Sequence, residues 1–264
     1  MDLPSHEAER LIAAVTGAPL RAVRRGDLTP GQVAALDALA VRRSAGEPIQ
    51  YLEGSAAFGP IEVAIDERAL IPRPETEGLW ELAVTALEDV GPGTTIVDLG
   101  TGSGVLALAL KHAFPAARVL GIDDAEGALA LARLNAERLG LEIEFLHGDL
   151  FNALPMNLLG RLDLVVSNPP YVAEHEWADL PSDVRDHEPR HALVSGPAGT
   201  EVLNRIADDG YWWLGVGGYL LCEIGETQGE EMDRAFGAFD RHIRQDLTGR
   251  NRYVVARKGS PCCV

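Results

Sequence analysis

The chain has 264 residues, 46% of them apolar and 6% aromatic, which is enough for a packed core and excludes a disordered chain. It carries 23 Lys+Arg against 40 Asp+Glu, a formal net charge of −17, and no basic run longer than two residues. That balance weighs against direct binding of nucleic acid, which needs a basic face, and no stretch reaches the about 18 apolar residues of a membrane-spanning helix.

Residues 6–45 read as helical, with Leu36, Leu39 and Ala40 at helical spacing. Gly17, Pro19, Gly26, Pro30 and Gly31 divide them into short helices. A Pro/Gly-punctuated bridge spans 46–74. Within it Ile61, Val63 and Ile65 alternate with Glu62 and Ala64, as in a half-buried strand. A helix is expected over 75–89, stopped by Gly91-Pro92-Gly93. The texture then changes. Strands are expected at 95–99, 118–122, 143–146, 162–167 and 219–224, the fourth apolar except for Asp163. Helices are expected at 105–114, 125–139 and 200–212, the second closed by Gly140. Strands that alternate with helices and read as apolar runs imply a parallel sheet covered on both faces. Runs 243–247 and 253–256, parted by Thr248-Gly249-Arg250-Asn251-Arg252, read instead as a terminal antiparallel hairpin.

Ligands of open α/β sheets sit beyond the carboxyl ends of the strands. Four polar features fall there. Gly100-Thr101-Gly102-Ser103-Gly104 follows the first strand of the sheet. Its spacing is not that of a dinucleotide loop, which disfavours a nicotinamide dehydrogenase. The glycines let backbone approach a ligand, and the helix start after them suits a carboxylate. Asp123, after the second strand, can accept two hydrogen bonds from a ribose diol, or cap the next helix. Asp149, after the third, can accept from an adenine amino group while Leu150 packs on the ring, or be a solvated turn acid. After the fourth strand comes Asn168-Pro169-Pro170-Tyr171. Two prolines remove two backbone donors and stiffen the turn. What remains is a set of acceptors and a flat Tyr171 face, suited to a planar –NH2 group.

Asp98-Leu99-Gly100-Thr101-Gly102-Ser103-Gly104, Asp123 and Asn168-Pro169-Pro170-Tyr171 together resemble class I S-adenosylmethionine-dependent amino-group methyltransferases. Three further segments narrow the resemblance to the HemK/PrmC family of protein-(glutamine-N5) methyltransferases. They are Gly46-Glu47-Pro48-Ile49-Gln50-Tyr51-Leu52-Glu53-Gly54, Leu70-Ile71-Pro72-Arg73-Pro74-Glu75-Thr76-Glu77 and Val184-Arg185-Asp186-His187-Glu188-Pro189-Arg190. The resemblance implies an α/β fold: a helical substrate-docking domain (1–55), a β-hairpin linker (56–74), a Rossmann-like catalytic domain (75–258) and a tail (259–264). It implies methyl transfer from S-adenosylmethionine to the glutamine of a Gly-Gly-Gln tripeptide in peptide chain release factors. Gly100, Thr101, Gly102, Ser103, Gly104, Asp123, Asp149, Leu150 and Asn168 would hold the cofactor. Asn168, Pro169, Pro170 and Tyr171 would hold the substrate amide, with Asn168, Pro169 and Tyr171 as the catalytic set. Arg73 would wall the substrate cleft, or pair with Glu75 or Glu77.

An exocyclic-amino methyltransferase of DNA or RNA poses the same geometric problem and is the alternative; a binding protein without turnover is another. No metal is expected, since Pro189 breaks the helical spacing a His187/His191 pair would need. Cys222 reads as a buried core thiol. Cys262-Cys263 lies on the tail, and three cysteines make no disulfide framework. Residues 1–10 hold no basic-then-apolar run, so no secretory signal and a reducing, cytoplasmic setting are expected.

Overall fold

Helix α1 (Ser5–Thr16) ends where Gly17 turns left-handed at φ 69° and donates its N–H to Ala13. The chain passes through a 3-10 turn at Leu20–Ala22 to α2 (Pro30–Ser44). Thr29 and Gln32 cap α2 reciprocally, and Pro30 occupies its first position, where a missing N–H costs nothing. A short α3 (Ile49–Glu53) follows. Leu11, Ile49 and Leu52 form the small core of these helices, with Leu36 and Leu39 packed against it. The Glu7–Arg43 and Arg10–Glu53 ion pairs rim that core. Strands β1 (Ser55–Phe58) and β2 (Ile61–Ala64) then form an antiparallel hairpin. This computed structural model describes residues 3–23, 27–87 and 93–260.

Helix α4 (Pro74–Ala86) leads to the main alternation: β3 (Thr95–Leu99), α5 (Val105–Ala113), β4 (Arg118–Asp123), α6 (Glu126–Leu139), β5 (Glu144–His147) and β6 (Leu162–Ser167). The loops beyond carry β7 (Val172–Ala173), α7 (Ser182–Arg185) and β8 (Val194–Gly196). Then come α8 (Glu201–Trp213), β9 (Leu214–Glu223), α9 (Gly229–Ala235), β10 (Asp240–Gln245) and β11 (Asn251–Arg257). The sheet order is β10-β11-β9-β6-β3-β4-β5. Strands β3, β4, β5, β6 and β9 are parallel, and the β10/β11 hairpin is antiparallel, as the sequence implies.

Period-two side chains sort into two buried faces. Val97, Leu99, Val165 and Leu220 meet Leu203 and Ile206 of α8 and Met232 of α9. Ile96, Leu164, Val166 and Leu221 meet Leu79 of α4, the wholly buried run 105–110 of α5, and Phe58 and Val63 of the hairpin. Asp163 is tolerated in apolar β6 because its carboxylate accepts the Thr95 N–H at 2.8 Å. The chain leaves β3 through β4 and β5 and returns to β6 on the other side of β3. The switch point, where such sheets open a crevice, therefore lies between β3 and β6.

Helices α3 and α9 are too short for periodicity to reveal. Three expected bounds are corrected. Strand β10 is Asp240–Gln245 rather than 243–247. Strand β9 begins at Leu214 rather than Tyr219. Its glycines resemble a turn in sequence, but a Cβ on Gly218 would stand 2.7 Å from the Leu162 carbonyl, so they serve close approach to β6. Helix α4 ends at Ala86; Asp89, Gly91 and Pro92, like Gly26 and Cys262-Cys263, lie outside the described residues. Trp213 is buried, its ring 6.0 Å from that of Phe151, whereas Trp212 is 66% exposed. Cys222 is fully buried, and burial pushes its thiol up. Among the described residues no helix is long and apolar enough to cross a membrane.

Candidate functional site

The carboxyl ends of β3, β4, β5 and β6 open on one cavity of about 310 Å³. Gly100, Thr101, Gly102 and Ser103 line it after β3. Gly100 sits at φ 68°, and open space lies where its Cβ would be, so a ligand can come close to the backbone. Gly104 stands behind this wall. A Cβ there would press on Ala132 at 3.1 Å and Leu108 at 3.2 Å, so its task is to seat α5 against α6. The helix start is partly spoken for as well: the Ala107 N–H goes to Asp98 Oδ2 at 3.1 Å, not to a ligand. Thr101 Oγ1 donates to the same oxygen at 2.6 Å. Burial pushes the Asp98 carboxyl up to about 7, while those two donors oppose the shift.

After β4, Asp123 lines the cavity and takes the helix-start role that its position allows. Its Oδ1 accepts the Ala125 N–H at 2.9 Å at the start of α6, and its Oδ2 accepts the Gly102 N–H at 2.8 Å. Burial raises its pKa. After β5, Leu150 lines the cavity at φ 49°. It is the one non-glycine in the left-handed region among the described residues, a strain that clusters at binding sites. Asp149 also lines the cavity, but its Oδ2 is taken by Arg205 Nη2 at 2.5 Å. The acid is an ion-pair partner first, with one oxygen left for a ligand.

After β6, Asn168 and Pro170 face the cavity, while Pro169 is buried. Asn168 Nδ2 donates to Thr76 Oγ1 at 3.0 Å. Thr76 Oγ1 donates to Glu223 Oε2 at 2.9 Å, and Tyr171 Oη donates to Glu223 Oε1 at 3.1 Å. No donor among the described residues reaches Asn168 Oδ1. The Tyr171 carbonyl accepts Gln228 Nε2 at 2.9 Å, which anchors the far end of the turn. The Tyr171 ring packs against the sheet core, with its hydroxyl held by Glu223.

Arg73 is also corrected. Its guanidinium pairs with Glu188, not with Glu75 or Glu77, and Glu188 also accepts the Ile71 N–H at 3.2 Å. Burial raises the Glu188 pKa despite Arg73. The clamp presses 71–73 onto 184–190, so Ile71 and Pro72 form cavity wall while Arg73 stays outside it. His191 lines the cavity; no group of three metal-ligating side chains occurs among the described residues.

Glu223, Thr76, Glu188 and Asn135 have no role in the sequence reading. For Glu223 a signal exists: it is an acid at the carboxyl end of an apolar strand, as Asp98 and Asp123 are. Asn135 gives none. It is buried on α6, accepts the Ala64 N–H at 2.7 Å and donates to the Ala64 and Ser103 carbonyls, tying the hairpin to the glycine loop. Gly199 is a third structural device. At φ 80°, a Cβ would lie 2.7 Å from the Tyr171 carbonyl and 2.9 Å from the Ala173 nitrogen. Gly199→Ala is expected to lower stability by about 2–3 kcal/mol, read from urea unfolding; a midpoint at the wild-type value would contradict this packing.

The chain is similar to known proteins along most of its length. The Methyltransferase small domain profile matches residues 81–183, and the PrmC N-terminal domain profile matches residues 1–54. The chain is 41% identical to the release factor glutamine methyltransferase of Mycolicibacterium smegmatis, covering 97% of this chain and 91% of that one. It is 38% identical to the protein so named in Streptomyces coelicolor, covering 98% and 92%. A solved methyltransferase of Pyrococcus furiosus shares the fold with a TM-score of 0.55 at 14% identity, over 85% of this chain and 98% of that one.

Proposed function

The chain belongs to the release factor glutamine methyltransferase family, and from that premise we propose that it methylates the side-chain amide nitrogen of the glutamine in the Gly-Gly-Gln tripeptide of peptide chain release factors, with S-adenosylmethionine as donor. One observation carries the reading: the turn after β6 sets Asn168 at the wall of the cavity, with its nitrogen held by Thr76 and, among the described residues, no donor on its Oδ1.

The residues around the cavity fit the cofactor. Its volume lies at the lower end of ordinary small-molecule sites. Asp123 offers carboxylate oxygens at the end of β4, Leu150 an apolar face, and Gly100 an unobstructed backbone. These residues, with Gly102, Thr101 and Ser103, would hold ribose, adenine and methionine parts in that order. Bound S-adenosylmethionine supplies a methyl carbon already activated by its sulfonium sulfur. The remaining difficulty is the nucleophile, because an amide lone pair is delocalised into its carbonyl. Asn168 Oδ1 would accept one –NH2 hydrogen and the Pro169 carbonyl the other, with Pro170 and Tyr171 stiffening the turn. The nitrogen is thereby aimed in line with the methyl carbon, and positioning of this kind is worth several kcal/mol. As the N–C bond forms, nitrogen gains positive charge, and the same two acceptors stabilise it. The proton becomes acidic only then, so no strong base is needed beforehand. Arg73 would act indirectly, by holding the 71–73 wall.

Incubation of the protein with labelled S-adenosylmethionine and, separately, a release factor, duplex DNA and ribosomal RNA tests this reading. Label is expected in the release factor alone; label in a nucleic acid and none in the release factor would overturn it. Asp123→Ala is expected to weaken S-adenosylhomocysteine binding by about 10–100-fold in calorimetry, because hydrogen bonds to a charged group are lost and the Gly102 N–H is freed. Unchanged affinity would remove Asp123 from the cofactor site.

A further inference from the structure

We infer that Glu223 is a positioning residue for methyl transfer, acting through the Thr76 hydroxyl to fix which end of the Asn168 carboxamide faces the cavity. The inference rests on the function proposed above. An ionised carboxylate can only accept hydrogen bonds, whereas a threonine hydroxyl has a single hydrogen to give. Glu223 Oε2, 2.9 Å away, takes that hydrogen. Thr76 Oγ1 is then left as an acceptor, and only the –NH2 end of Asn168 can satisfy it, at 3.0 Å. Oδ1 is turned to the cavity as a consequence. The two ends of a carboxamide have nearly the same shape, so packing alone does not choose between them. With the ends exchanged, Asn168 would present a donor to a substrate –NH2, which is also a donor.

Glu223 is built for this task. It is 1% exposed, at the carboxyl end of β9 between β6 and β11. Its second oxygen accepts from Tyr171 Oη at 3.1 Å, so the same acid anchors the far end of the Asn168-Pro169-Pro170-Tyr171 turn. The other charged or titratable groups facing it are Arg252 and Tyr253 from β11 and Glu75 from α4. Arg252 is bonded to Asp246, and the Tyr253 hydroxyl donates to the Glu75 carbonyl. Burial pushes Glu223 up to about 7, against the pull of Thr76, Tyr171 and Arg252. As pH falls through that value, the carboxyl gains a hydrogen and becomes a donor to Thr76. The hydroxyl is then free to donate to Asn168 Oδ1, and the orientation is lost. The rate therefore falls on the acid side.

The test uses the full chain with a release factor and saturating S-adenosylmethionine. Glu223→Gln, which keeps shape but adds a donor, and Thr76→Val are each expected to lower kcat by on the order of 10–100-fold. KM for the release factor and affinity for S-adenosylhomocysteine should stay near wild type. Thr76→Ser restores most of what Thr76→Val loses, and the double variant T76V/E223Q is no slower than T76V, because both act through one chain of bonds. The wild-type kcat profile shows an acid limb that E223Q lacks. Wild-type kcat and pH profile in E223Q would overturn the inference, as would a loss of cofactor affinity as large as the loss of kcat. A second readout does not depend on activity. The Asn168 side-chain amide signal in ¹⁵N NMR, identified by its absence in N168A, is expected to titrate with Glu223 in the wild type and stay flat in E223Q. A flat signal in both refutes the relay. Absence of transfer to a release factor by the wild type contradicts the functional reading instead, and the amide signal still decides on Glu223.

Discussion

Asn168→Ala is expected to lower kcat toward a release factor by on the order of 10²–10³, with little change in affinity for S-adenosylhomocysteine. The size follows from what is removed. In the proposed reading Asn168 Oδ1 is an acceptor aimed at the nitrogen where charge develops, at the wall of the cavity. In that reading it also sets the direction of attack. Cofactor affinity should be spared because, in the proposed reading, the glycine loop, Asp123 and Leu150 carry that binding from other strands. Asn168→Asp is a second probe: it keeps an acceptor but loses the donor to Thr76 and brings a negative charge toward Glu223. It should also be slow. Near-wild-type turnover of N168A on a release factor would remove Asn168 from the mechanism.

The largest expected effect on stability is at Arg73. Arg73→Ala leaves the Glu188 carboxylate, 1% exposed at its side chain, without its cationic partner. Stranding a buried charge costs about 3 kcal/mol, the low end of the usual range because Arg73 itself is one-third exposed. For a chain of this size that is a fall in Tm of roughly 6–12 °C. Glu188→Gln should cost much less, since the amide oxygen still accepts from Ile71 and Arg73 keeps contact with water. The two variants also differ in pH dependence. Glu188 has a raised pKa in the folded state, so the stability penalty of its charge is absent below the unfolded value of 4.5 and is felt fully once pH exceeds the folded pKa. Removing Arg73 raises that pKa further. The deficit of R73A should therefore be largest at neutral pH and shrink as acid protonates Glu188. Equal losses in R73A and E188Q, or a deficit that grows in acid, would show that the clamp is not what holds the 71–73 wall.

Much of the catalytic domain is legible in the sequence because its strands are buried on both faces. The runs at 95–99 and 162–167 are the observed β3 and β6 to the residue, since an apolar run between turn residues has few other ways to fold. The terminal hairpin was legible from its Gly249 turn. Short elements were not: α3 and α9 lack the length to show a helical period, and the glycines that let β9 approach β6 imitate a loop. At the site, residues that meet the cavity through their own strand ends could be read, such as Asp123, Asp149, Leu150 and Asn168. Partnerships between distant segments could not. Nothing in the order of residues joins Arg73 to Glu188, Asp149 to Arg205, or Asn168 through Thr76 to Glu223. Those pairings exist only once the fold has brought distant segments together, α4, β6 and β9 in the last case.

The central claim is that Asn168 Oδ1 and the turn behind it grip a carboxamide and point its nitrogen at the methyl donor. A crystal structure of the protein with S-adenosylhomocysteine and a peptide containing Gly-Gly-Gln tests it most directly. The expected result is a glutamine –NH2 donating to Asn168 Oδ1 and the Pro169 carbonyl, with the nitrogen facing the thioether sulfur across the mouth of the cavity. A glutamine bound elsewhere, or an Asn168 turned so that its own –NH2 meets the substrate, would contradict the account.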